Sequence, residues 1–161
     1  MSYWMEMSCG KAASALFVNC IVAKLWISMY RGSMMFMSKA DGKKTLESKD
    51  FRMTHMAQLN NSEYSGPLIA VLLYLHSQGV EADMACVLVV MGSIIHMWGL
   101  VILGPLGGPG LGGWTAVMGA LPRYAGMFLL AIALQKCTAK DIGQFSAANI
   151  ARYDRVGVPG A

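Results

Sequence analysis

Apolar stretches of membrane-spanning length recur along this chain, separated by short polar segments. Ala12 to Tyr30 is an almost unbroken apolar run of 19 residues, enough at about 1.5 Å per residue to cross a hydrocarbon core about 30 Å thick. Further apolar runs cover about 56–76, 84–103 and 114–135, so the pattern predicts four spans in one domain, residues 1–161. Ser77 to Asp83, with Gly79 as a natural helix stop, is too short to join anything but antiparallel neighbours. Pro122 and Arg123 lie early in the fourth span and predict a kink or a late helix start there. Residues 31–55, rich in both charges and holding Asp41-Gly42, read as a solvated basic loop with a turn. Residues 136–161 read as a polar tail with a helical turn or two.

The second span differs from the others. Its first half carries Gln58, Asn60, Asn61 and Glu63, and only its second half is purely apolar. Amides and a carboxylate at membrane depth are costly unless they face a bundle interior or a wet cavity, so they mark a candidate site. Lys24, inside the first span, and Arg123, inside the fourth, raise the same question. A buried cation and carboxylate are tolerable chiefly when they meet, which makes Lys24, Glu63 and Arg123 candidates for buried ion pairs, with Glu63 and Arg123 the obvious couple. Lys24 and Arg31 are seven residues apart and share a helical face.

Ala57-Gln58-Leu59-Asn60-Asn61-Ser62-Glu63-Tyr64, followed by Pro67, resembles the second-helix signature of the MAPEG family, the membrane-associated proteins of eicosanoid and glutathione metabolism. The resemblance covers roughly residues 12 to 134. It implies an all-α, integral membrane four-helix bundle that assembles as a trimer, with glutathione held between subunits. Carried over residue by residue, it places Arg31, Gln58, Asn60, Glu63 and Tyr64 at the glutathione cavity. It also aligns Gly92-Ser-Ile-Ile-His96-Met-Trp-Gly99 with a third-helix pattern that includes His96. Two positions depart from the pattern: Met56 and Ser93 stand where family members commonly have arginine, and neither replaces a guanidinium's charge and fork of donors.

Each of these residues also has a structural reading. His96 and His76 could act in acid–base chemistry or as axial ligands, or could simply hold helices together through hydrogen bonds. Asn60 and Glu63, three apart on one face, could be catalytic or a polar clamp. Tyr64 could activate a thiol, or serve as an aromatic at the membrane interface.

Composition narrows the field. The chain is 55% hydrophobic and 14% charged, with a mean hydropathy of +0.46, far from the balance of a soluble domain. The net charge of +4 lies mostly in the basic loop and reads as membrane topology; nothing predicts a nucleic-acid partner. Six basic residues on one side of the predicted spans against five on the other do not fix an orientation. Cys9, Cys20, Cys86 and Cys137 are widely separated, which predicts neither a disulfide framework nor a metal site. The fourteen methionines read as flexible apolar packing. The glycine and proline run from Gly104 to Gly113 lacks the lysine and strand-to-helix context of a phosphate loop and reads as a close-packed turn. Met1 to Gly10 lacks the basic n-region of a signal peptide; if the protein is organellar, an import segment has been removed.

Two functions follow as expectations. In one, the chain is a MAPEG-like accessory subunit of an organellar membrane complex, photosynthetic or respiratory, with a degenerate glutathione site and with lipid, pigment and other membrane subunits as its company. In the other, it is a glutathione-dependent transferase or peroxidase acting on lipophilic electrophiles as a self-trimer. Thylakoid, mitochondrial and endoplasmic-reticulum membranes all remain open.

Overall fold

The computed structural model describes residues 7–34, 36–106 and 111–156, and these are all helical apart from short connections. The helices are α1 (Cys9–Met34), α2 (Lys39–Glu47), α3 (Lys49–Ser77), α4 (Asp83–Leu106) and α5 (Leu111–Val156). Among the described residues three segments are long and apolar enough to cross a membrane, namely Cys9–Ser33, Asp83–Leu103 and Ala116–Gly143, consistent with an integral membrane protein. The predicted second span lies inside α3 and is not among them, because Gln58, Asn60, Asn61 and Glu63 lower the hydropathy of its first half. α3 nevertheless packs against α1, α4 and α5.

The buried side of α3 explains that position. Phe51, Thr54, Gln58, Asn61, Ser65, Leu68, Leu72 and Leu75 are all buried and alternate three and four apart, the period of a helix seam wrapped around its neighbours. Two apolar clusters form along the bundle. One contains Leu16, Leu68, Leu72, Leu75, Val89 and Leu130; the other contains Ala23, Ala57, Met97 and Val101. A polar layer made by Asn19, Asn61, Ser65 and Ser93 lies between them in sequence on each helix and is itself buried.

α4 and α5 run antiparallel at close quarters. A Cβ placed on Gly92 would fall 2.8 Å from the Cα of Arg123, one on Gly119 would strike the backbone of His96, and one on Gly126 would lie 2.8 Å from the Val89 nitrogen. Gly119 and Gly126 are seven apart, as are Ala85 and Gly92, so each helix presents a smooth stripe that lets the backbones approach.

Three expectations about the connections are overturned. The loop over 31–55 is mostly helix. Ser38 caps α2 by accepting from the Asp41 amide at 3.2 Å while its hydroxyl donates to the Asp41 carboxylate at 2.7 Å, so Asp41-Gly42 opens a helix instead of a turn. Ser48 ends α2 and caps α3 through the Phe51 amide at 3.2 Å. α5 neither waits for Pro122 nor ends near Gln135; it runs from Leu111 through the proline to Val156, and Tyr74 donates a 2.8 Å hydrogen bond to Asp141 that ties the extension to α3. The expected turn over Gly104–Gly113 falls partly on residues 107–110, outside the described residues; Gly104 to Leu106 complete α4 and Leu111 to Gly113 open α5. Gly79 stops α3 as predicted, with φ of 65°. Its amide donates to the His76 carbonyl and the Val80 amide to the Leu75 carbonyl, the paired bonds of a Schellman motif.

Candidate functional site

The polar half of α3 divides its side chains among three directions. Gln58 and Asn61 point into the bundle, Glu63 points outward, and Asn60 and Tyr64, one turn apart, share a side. Asn61 is the hub. Asn19 of α1 donates to its Oδ1 at 3.2 Å, Ser65 to the same oxygen at 3.5 Å, and its own Nδ2 donates to Cys20 Sγ at 3.5 Å. Trp98 of α4 donates its indole N–H to Asn19 Oδ1 at 2.9 Å. This network joins three helices where the two apolar clusters meet, and it leaves the asparagine side chains engaged with protein. Gln58 donates to Ser62 at 2.8 Å.

His96 is a bundle histidine. It is buried, and its Nδ1 lies 3.0 Å from the Ala116 carbonyl oxygen. A carbonyl can only accept, so Nδ1 carries the proton and the ring is held against α5. Arg31, in the last turn of α1, is exposed and donates to His55 Nε2 at 3.4 Å, and His55 stacks on Phe51 with ring centres 5.9 Å apart. His76 is exposed and lies against Gly10.

Arg123 is the largest fully buried side chain among the described residues, 1% exposed. Its guanidinium lies 4.4 Å from the centre of the Tyr64 ring and 5.4 Å from that of Tyr124, and the two tyrosine hydroxyls are 3.3 Å apart. The expected ion pair of Arg123 with Glu63 is not formed; Lys43 and Glu47 form an ion pair on α2. Glu63 and Lys24 are both exposed. Arg123 Nε and Nη1, together with Asn60 Oδ1, are buried without a hydrogen-bond partner. Aromatic faces stand in for acceptors around the cation, an arrangement favoured where water is excluded.

Of Arg31, Gln58, Asn60, Glu63, Tyr64 and His96, a groove of about 380 Å³ between α3 and α5 gathers Glu63 and Tyr64 alone; the rest of its wall is Pro67, Leu68, Val71, Met127, Leu130, Ala131 and Leu134. Arg31 and His96 stand apart from it. Met56 is 64% exposed and Ser93 is 1% exposed, so neither position brings a cation to the groove. The sequence reading passed over Tyr124, whose signal is its adjacency to a mid-span arginine, and Trp98, whose signal is an indole N–H in need of a buried acceptor. No metal-binding group of histidine, cysteine or acidic residues occurs among the described residues, and all four cysteines are free. Comparison with protein-family models, with curated proteins and with solved structures finds no match to this chain.

Proposed function

We propose that this chain is a MAPEG-like integral membrane protein that serves as a non-catalytic structural subunit of a larger membrane assembly. One observation carries the reading: Gln58 and Asn61 of its signature, together with His96, spend their polar groups within the bundle. Asn61 binds Asn19 and Cys20, Gln58 binds Ser62, and His96 binds the Ala116 carbonyl. A glutathione enzyme needs fixed cations near the thiol and carboxylates of an anionic tripeptide. Here the groove wall carries the carboxylate of Glu63 and no cationic side chain.

The alternative, a glutathione-dependent transferase, is favoured by one feature. Arg123 Nε and Nη1 and Asn60 Oδ1 lack partners beside Tyr64, and a ligand that displaced the Tyr64 ring would find donors and an acceptor there. Turnover separates the two. Purified protein in mild detergent, given glutathione and an aromatic chloro-nitro electrophile, should show no rate above the uncatalysed reaction. A saturable, enzyme-dependent rate would overturn the structural reading.

A further inference from the structure

The turn between α3 and α4 borders a groove that opens toward α5. The groove holds about 580 Å³, more than the one beside Glu63, and uses a different face of α5. Leu129, Ile132, Lys136 and Lys140 recur three and four apart along α5 and form one wall, apolar at one end and basic at the other. On the other wall stand Glu81 and Asp83, at the end of the turn, followed by the apolar Met84 and Ala85 of α4.

The groove is graded with depth. α4 and α5 run antiparallel with Gly92 against Arg123 and Gly119 against His96; the same register sets Asp83 level with Ile132 and Lys136 level with Gly79. The non-helical backbone of the turn must lie outside the hydrocarbon, where its polar groups find water. Lys136 and Lys140 therefore stand at the membrane surface beside Glu81 and Asp83, while Leu129, Met84 and Ala85 reach into the apolar layer. That is the order of a lipid, with its head at the surface and its chain below.

The charges select the head. Two carboxylates and two ammonium groups line the groove, yet among the described residues neither lysine forms an ion pair with Glu81 or Asp83. A purely anionic head would meet the carboxylates and a purely cationic one the lysines, so the balanced lining suits a zwitterion. No aromatic ring lines the groove, and a quaternary ammonium therefore lacks the cage of rings that favours it. A primary ammonium, in contrast, donates hydrogen bonds to both carboxylates. We propose that this groove binds one molecule of phosphatidylethanolamine, with its phosphate on Lys136 and Lys140, its ammonium on Glu81 and Asp83, and an acyl chain along Leu129, Met84 and Ala85. The site does not depend on whether the protein is catalytic.

Native mass measurement on the full-length chain in mild detergent tests this without any substitution, by separate titration with phosphatidylethanolamine, phosphatidylcholine and phosphatidylglycerol of matched acyl chains. The wild type should hold one phosphatidylethanolamine at least tenfold more tightly than either of the other lipids. Soluble phosphoethanolamine, which has the head and no chain, should fail to displace it. With Glu81→Gln and Asp83→Asn together, the preference over phosphatidylcholine should vanish. With Lys136→Gln and Lys140→Gln together, phosphatidylethanolamine affinity should fall at least tenfold. Helical circular dichroism confirms that each variant is folded. A wild type that binds the three lipids alike, tighter binding of phosphatidylglycerol, displacement by soluble phosphoethanolamine, or wild-type phosphatidylethanolamine affinity in either pair of substitutions would each overturn the proposal.

Discussion

Arg123 lies face-on to Tyr64, with its guanidinium carbon 4.4 Å from the ring centre, at a point where the α5 backbone also touches Gly92 of α4. A cation is thus held in the middle of the bundle by aromatic surface and close backbone packing, without a carboxylate. Tyr124 completes the enclosure, its ring edge-on to Tyr64 at 77°.

Replacing Arg123 should therefore be mild. Arg123→Met removes a cation–π contact worth about 0.5–2 kcal/mol, but it also relieves the desolvation of a buried guanidinium two of whose nitrogens lack acceptors. Thermal unfolding in detergent should show a melting temperature unchanged or raised. A marked fall would mean that the guanidinium is anchored by more than the rings. Tyr64→Leu, which leaves the cation in place without its ring, should lower the melting temperature, whereas Tyr64→Phe should lower it little.

The α4–α5 contact should be intolerant of added volume. Gly119→Ala drives a methyl group into the His96 backbone, and overpacking of this kind costs about 1–3 kcal/mol or more when backbone must move. Gly42→Ala, in a helix where nothing lies within contact distance, should stabilise α2 by about 0.5–1 kcal/mol. Comparing the two by thermal unfolding checks the helix pairing; equal effects would contradict it.

Much of this arrangement was legible in the sequence, and the misses have physical causes. Apolar run length located α1, α4 and α5, because lipid and a helix's rise per residue fix how long a span must be. The stop at Gly79 was legible because only glycine adopts that backbone conformation without strain. The helices over 31–55 were missed because charge density was read as solvation, when Ser38 and Ser48 were caps. The α5 extension was missed because what fixes it to α3, Tyr74 on Asp141, is a contact 67 residues long. Among the site residues, sequence identified Asn60, Glu63 and His96 as polar groups needing partners but could not show helix rotation. It is rotation that turns Glu63 outward, away from Arg123, and turns His96 toward Ala116.

The asparagine hub should contribute measurably. Asn61→Leu leaves Asn19 and Ser65 without their shared acceptor, and a buried donor so stranded costs about 1–3 kcal/mol. Trp98→Phe removes the donor to Asn19 and should cost about 0.6–2 kcal/mol, the range for hydrogen bonds between membrane helices. Measured together, the two should be non-additive, since both act through Asn19. Strict additivity would argue against a connected network.

Gly79→Ala places a side chain at φ of 65°. It should destabilise the α3–α4 connection by about 1–2 kcal/mol, read as faster amide exchange at Val80 and as a lowered melting temperature. No change would mean that the turn relaxes without strain.

Glutathione binding tests the central claim most directly. Titration calorimetry on the folded protein in mild detergent, with Glu63→Gln and Arg31→Ala as controls, should show no saturable heat in any of the three samples if the signature residues are structural. Saturable binding by the wild type, lost in Glu63→Gln, would show that the groove is a working glutathione site despite Met56 and Ser93, and would contradict the structural-subunit account.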